Sequence, residues 1–187
     1  MLTASFFDRP VLDVSHDLIG TRLLFDGVGG VIVEVEAYDE SDPASHSFRG
    51  PTPRNRTMFG PPGHAYIYKI YGIHFCLNFV CQPGSAVLVR ALRPDTGLSQ
   101  MHERRGGVSE KQLCSGPGKL AQALAIGMEH NGLALDQHPF HLGPANEILA
   151  VATGTRIGIS KGIDTPWRFV AAGSPYLSRP LPKDRPL

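Results

Sequence analysis

The chain is short of cysteine, of lysine and of net charge. Its three cysteines are Cys76, Cys81 and Cys114. An odd number at wide spacing suits neither a disulfide framework nor a cysteine metal site, and points to a reducing compartment. A formal net charge of +1 excludes a global basic field as the means of holding nucleic acid and leaves only a local basic face. Lysine occurs only at Lys69, Lys111, Lys119, Lys161 and Lys183. The other basic residues are arginines, which suit bidentate contacts to carboxylate or phosphate. No long apolar run and no leader pattern is present, so a cytoplasmic location is expected. The phosphate-cradling Gly-x4-Gly-Lys-Ser/Thr spacing is missing, as is any nucleophile elbow around a serine or cysteine. His138 and His141 flank Pro-Phe without cysteine or acidic neighbours, so no metal site is expected.

What is there describes a folded chain. Hydrophobic residues make up 42% and charged residues 19% of 187 positions, enough for one domain, 1–187, with a proper core. Pro10 to Ile19 carries Val11, Val14 and Leu18 at helical spacing, with Gly20 as the stop. Leu23 to Phe25 and Val31 to Tyr38 read as strands joined through Asp26–Gly30. Along the second strand, Val31, Val33, Val35 and Ala37 face one way, and Ile32, Glu34, Glu36 and Tyr38 the other. Two carboxylates on one face are first read as a half-solvated outer surface, Glu34 in particular.

Asp39 to Pro62 reads as a long functional loop carrying His46, Arg49, Arg54 and Arg56, with Thr52-Pro53 able to cap a short helix. Ala86 to Leu92 is an apolar strand with Arg90 set inside it. A buried arginine requires a carboxylate or several carbonyls. Leu98–Arg105 and Ser115–Ile126 read as helices, the second ending at Gly127. Phe140–Leu142, Ile148–Ala152, Arg156–Ile159 and Trp167–Val170 are plausible strands. The Pro-rich tail, 176–187, reads as loose.

Gly63 to Asn78 is rich in β-branched and aromatic residues and is interrupted by Gly72, the pattern of a β-hairpin. Tyr66, Tyr68 and Ile70 share one face. Tyr66 is expected to pack in the sheet, and Tyr68 is open between packing and a site. Tyr71 lands at the tip, where an aromatic ring without core to cover it usually has a partner. Glu36, Arg90, His46 and two tyrosines are a set that would serve acid–base hydrolysis if they converged.

In order along the chain, Glu36-Ala37-Tyr38, His46-Ser47, Thr52-Pro53-Arg54-Asn55-Arg56, Met58-Phe59, Tyr66 to Asn78, Val89-Arg90-Ala91-Leu92, Leu113-Cys114-Ser115-Gly116-Pro117, Arg156-Ile-Gly-Ile and Gly173-Ser-Pro resemble the alkyladenine (3-methyladenine) DNA glycosylases. The resemblance implies a single α+β domain with a curved antiparallel sheet, peripheral helices and a protruding β-hairpin. It implies excision of alkylated or deaminated purines from double-stranded DNA by base flipping, with no metal, no cofactor, no membrane and no obligate protein partner. The enzyme would be monofunctional and would meet DNA at the nucleoid.

Carried over by position, Glu36 would be the general base, with Arg90 and the carbonyl of Ile157 holding its water. Tyr38, His46 and Tyr68 would line the base pocket, and Asn78 would bar the 2-amino group of guanine. Tyr71 would wedge into the minor groove, with Arg54, Arg56, Met58 and Lys119 as further DNA contacts. The segment His46–Thr52 is one residue shorter than the family form and carries Phe48 and Pro51, and the hairpin tip carries Ile73 and His74.

The chemistry suits these residue types. Breaking the bond from base to C1′ builds positive charge on the sugar, which a carboxylate stabilises while it accepts a proton from water. Aromatic rings stack on a flipped base, more strongly if that base is cationic. The competing class is a non-catalytic nucleic-acid-binding module of the same fold. A second competitor is a bifunctional enzyme working through a lysine Schiff base. Strand parity turns Lys69 away from the Tyr68 side and speaks against it.

Overall fold

The computed structural model describes residues 1–181. Its organising element is the strand β2 (Val28–Tyr38), which pairs antiparallel with three neighbours: β1 (Arg22–Phe25), β5 (Ala86–Thr96) and β8 (Arg168–Ala171). The hairpin strands β3 (Ala65–Ile70) and β4 (His74–Val80) extend the sheet beyond β5. At the other side β6 (Phe140–Gly143) pairs with β1, and β7 (Val151–Gly154) pairs with β8. The result is the expected α+β domain around a curled antiparallel sheet of eight strands.

β2 starts three residues earlier than its β-branched run. Gly29 and Gly30 make that extension possible. A Cβ on Gly29 would lie 1.9 Å from the Leu23 carbonyl oxygen, and one on Gly30 2.0 Å from that of Arg93. Only glycine lets the backbones of β1 and β5 close on both sides of the strand.

The helices α1 (Ala4–Phe7), α2 (Val11–Leu18), α3 (Leu98–Arg105), α4 (Glu110–Leu113) and α5 (Pro117–Leu124) add apolar faces to the main core. Val33, Val35 and Ala37 of β2 bury there with Ile67, Leu77, Val87 and Val89 from β3, β4 and β5. α5 stops at Ala125 rather than at Gly127. Ala125 takes the left-handed conformation itself, at φ 59°, and closes the helix with bonds to the carbonyls of Ala121 and Gln122. Among the described residues no helix is long and apolar enough to cross a membrane.

Four further expectations are corrected. Arg156–Ile159 is a loop, because the Ile157 N–H turns to a side chain and not to a neighbouring strand. The strand expected at Ile148–Ala152 begins only at Val151, since Ile148 is fully exposed and pairs with nothing in the sheet. The short helix after Thr52-Pro53 starts at Arg56 and is a 3-10 turn; the Thr52 hydroxyl and the Asn55 side chain bond each other ahead of it. The expected loose tail begins as packed chain: Tyr176 and Leu177 lie against the core, and Ser178 hydrogen-bonds a buried carboxylate. The rest of that segment, 182–187, lies outside the described residues.

The hairpin turns through Tyr71, Gly72 and Ile73. Tyr71 adopts φ 51° and Gly72 φ 70°, both left-handed. Tyr71 is 82% exposed and Ile73 70%, so the tip presents two large apolar side chains.

Candidate active site

The sheet face opposite the main core carries the site. Register aligns one row across four strands: Tyr66 opposite Asn78, Asn78 opposite Leu88, and Leu88 opposite Glu36. Alternate residues on each strand therefore point to the same side, which gathers Tyr38, Tyr66, Tyr68, Cys76, Asn78 and Arg90 around a cavity of about 710 Å³. Tyr66 packs beneath it with Met58, Val80 and Ala86, and Tyr38 and Tyr68 lean on that small cluster.

Arg90 owes its aim to a bulge. Glu34 of β2 lies opposite Ala91 and Val35 opposite Val89, so the register skips Arg90. A skipped residue bends its strand and redirects its side chain. The shift is cancelled further along β2, where Val33 is skipped between Ile32 and Glu34.

The redirected guanidinium meets two buried carboxylates. Its Nε donates to Glu34 Oε1 at 3.1 Å and its Nη1 to Glu36 Oε2 at 3.2 Å. Glu34 also accepts from Arg168 Nε at 2.8 Å. Glu34 is thus fully buried and doubly paired, which corrects the half-solvated reading. The face it occupies is not an outer one, because the Arg168 side chain and the segment around Ser178 close over it. Burial works against the Arg90 charge, but Glu36 and Glu34 outweigh it and hold the guanidinium above the ordinary arginine range.

Glu36 accepts from three groups. Oε2 takes the Tyr38 hydroxyl at 2.8 Å as well as Arg90, and Oε1 takes the Ile157 N–H at 2.8 Å. Ile157 was expected to contribute its carbonyl; the contact to Glu36 is made by its N–H. A carboxylate offers about four acceptor positions, so one on Oε1 is left over. Tyr38, Arg90 and Ile157 all line the cavity, and Glu36 lies directly behind them.

The aromatic side chains that wall the cavity are uncharged. His46 sits edge-on to Tyr68, centroids 4.5 Å apart, and its Nδ1 is 2.9 Å from the Tyr66 hydroxyl. Burial, with Arg54 nearby, holds His46 below the usual imidazole value, so it is neutral at neutral pH. Burial pushes the Tyr66 phenol up to about 12. Burial also raises Tyr38, with the Glu36 charge adding to it, and raises Tyr68, with Cys76 adding to it. All three therefore remain phenols. Asn78 is buried at the floor, where its amide nitrogen donates to the Tyr66 carbonyl at 3.0 Å.

The rim supplies the local basic face. Among the described residues, Arg49, Arg54, Lys161 and Arg179 line the cavity, and no aspartate or glutamate does. Arg56 and Lys119 are exposed but lie outside the lining. Met58 is only 2% exposed and packs with Tyr66, and it lines the cavity, not the outer surface. The loop of residues 39–62 is held over the site by Asn55, whose amide donates to the carbonyls of His46 at 2.7 Å and Gly50 at 3.1 Å.

Sequence reasoning missed several supports. Arg156 lies over the rings of Tyr38 and Trp167, 4.7 and 5.4 Å from their centroids, and pairs with buried Asp42 at 2.9 Å. Arg168, Ser178 and the rim residues Lys161 and Arg179 also carried no local signal.

Comparison with known proteins places the chain among relatives of one kind. The model of the methylpurine-DNA glycosylases matches residues 5–175. A protein of Nitrosospira multiformis is 58% identical over 178 residues, covering 94% of this chain and 92% of its own. One from Bradyrhizobium diazoefficiens is 55% identical over 185 residues, covering 97% and 92%. One from Nitrobacter winogradskyi is 56% identical over 183 residues, covering 96% and 88%. All three carry the provisional name 3-methyladenine DNA glycosylase. With a cavity of neutral aromatic walls, a carboxylate behind it and a match over nearly its whole length, the chain belongs to the methylpurine-DNA glycosylase family.

Proposed function

We propose that the protein is a monofunctional DNA glycosylase that hydrolyses the N-glycosidic bond of alkylated or deaminated purines in duplex DNA. The reading rests on the family, and above all on one observation. Three donors fix the Glu36 carboxylate and leave a single acceptor position on the oxygen bonded by Ile157. A water entering between Ile157 and Arg90 would take that position. As the bond from C1′ to the purine breaks, the water oxygen attacks C1′, Glu36 takes the proton, and the base leaves with the bonding electrons. Tyr38, Tyr68 and His46 would stack against the flipped base. Their neutrality suits a cationic alkylpurine, which a charged imidazole would repel.

The rim cations would take the phosphates that flank the lesion, so binding should depend steeply on salt despite the near-zero net charge. Tyr71 would fill the gap left in the base stack. Lys69 lies over the Phe75 ring, 5.8 Å from its centroid. Among the described residues, Lys161 is the lysine that lines the pocket, and it is the residue a strand-nicking mechanism would need.

The test is to incubate the protein with duplexes carrying hypoxanthine, 1,N6-ethenoadenine or an alkylpurine and to assay the freed base. Release of intact base, with no complex trapped by borohydride, is expected. Lesion binding without base release would replace the enzyme by a binding module, and an efficient borohydride trap would point to Lys161.

A further inference from the structure

Beyond the matched residues 5–175, the chain continues across the back of the site. Ser178 donates its backbone N–H to Glu34 Oε2 at 2.5 Å and its hydroxyl to Glu34 Oε1 at 2.7 Å. The same hydroxyl accepts from Arg90 Nε and Nη2, each at 3.3 Å. Arg168 bonds Glu34 with its Nε and the Arg179 carbonyl with its Nη2. Glu34, Glu36, Arg90 and Arg168 are all buried, two carboxylates against two guanidiniums, a formally neutral group.

We propose that Glu34 and Ser178 are positioning residues for the Arg90–Glu36 pair, and that residues 176–179 complete the active site from outside the family match. The proposal rests on the reading of Glu36 as the general base. Arg90 can meet Glu36 in one geometry only if the rest of its guanidinium is also held. Nη1 is the atom that reaches Glu36, while Nε and Nη2 are held from behind by Glu34 and Ser178. Without the hydroxyl, Nη2 loses its one partner among the described residues, and a buried guanidinium with an unmet donor turns to find another. The carboxylate of Glu36 would then be held by one contact fewer. The segment has a second effect: it brings Arg179 to the rim, so the same lock places a cation on the substrate side.

Ser178→Ala removes the hydroxyl bridge but leaves the backbone bond to Glu34, so the chain should still fold. Ser178→Thr restores the hydroxyl. Single-turnover base release and lesion-DNA affinity are to be measured for both, together with hydrogen exchange at the Arg90 Nε–H by NMR. Expected for Ser178→Ala is a loss of about tenfold in the rate constant, the scale of removing a supporting contact behind a site. Lesion affinity should stay within about twofold, because no DNA-facing group is removed. Arg90 Nε–H exchange should quicken, and Ser178→Thr should restore both the rate constant and the exchange.

An unchanged rate constant in Ser178→Ala, or unchanged Arg90 exchange, overturns the proposal. A fall in rate that Ser178→Thr does not restore overturns it as well. A wild type that releases no base overturns the functional reading first, and is told apart from failure of the lock because Arg90 exchange reports the lock without activity.

Discussion

The Ile157 N–H donates to Oε1 of Glu36 at 2.8 Å across 121 residues of sequence. A loop late in the chain thereby fixes the rotation of a carboxylate on the central strand. The other two contacts fix Oε2, so neither oxygen is free to turn. This pre-set geometry favours a proton acceptor over a swinging surface charge.

Glu36→Gln should keep lesion binding and lose base release, because shape and most hydrogen bonds survive while the proton acceptor does not. A drop of about 100-fold or more in the single-turnover rate is expected from losing a general base. A rate near wild type would assign the base elsewhere.

Arg90→Ala should damage both fold and activity. It strips a cation from between two fully buried carboxylates, and breaking such a pair costs about 3–5 kcal/mol. Denaturant unfolding reads the loss. Arg90→Ala with full stability would contradict the neutral buried group formed by Glu34, Glu36, Arg90 and Arg168.

How much of this was legible beforehand depends on how local each signal is. Strand parity put Glu34, Glu36 and Tyr38 on one face, and the hairpin with its tip at Tyr71 followed from β-branched runs around Gly72. The burial of Glu34 was not legible, because it is created by Arg168 and Ser178, 134 and 144 residues away. The same holds for Arg156, whose partner Asp42 lies in an irregular loop with no periodicity to read. The bulge at Arg90 depends on the register of two strands and cannot be seen in either alone.

His46 carries a pH signature. Its imidazole is held below the ordinary value by burial and by Arg54, so the unfolded chain binds a proton before the folded one does. The stability that neutral His46 contributes is present above about pH 6.5 and is lost as pH falls below it. The melting temperature of the wild type should therefore fall faster than that of His46→Gln between about pH 7 and pH 5. A constant difference between the two across that range would mean His46 is not desolvated.

Tyr71→Ser should leave the fold intact and weaken excision from paired duplex by roughly tenfold or more, the scale of a stacking contact worth about 1–3 kcal/mol. The deficit should shrink when the lesion sits in an unstable mismatch, where extrusion is already easier. Equal losses on every substrate would make the tip structural.

The left-handed backbone at Tyr71 bears on how this protein can be improved. A bulky residue at φ 51° is strained, and an asparagine or glycine would relax that turn. A screen for heat resistance alone should accordingly recover Tyr71→Asn or Tyr71→Gly as winners, while a screen for repair of alkylated DNA should reject them. With both outcomes, the hairpin tip would be where selection for durability and selection for use pull in opposite directions.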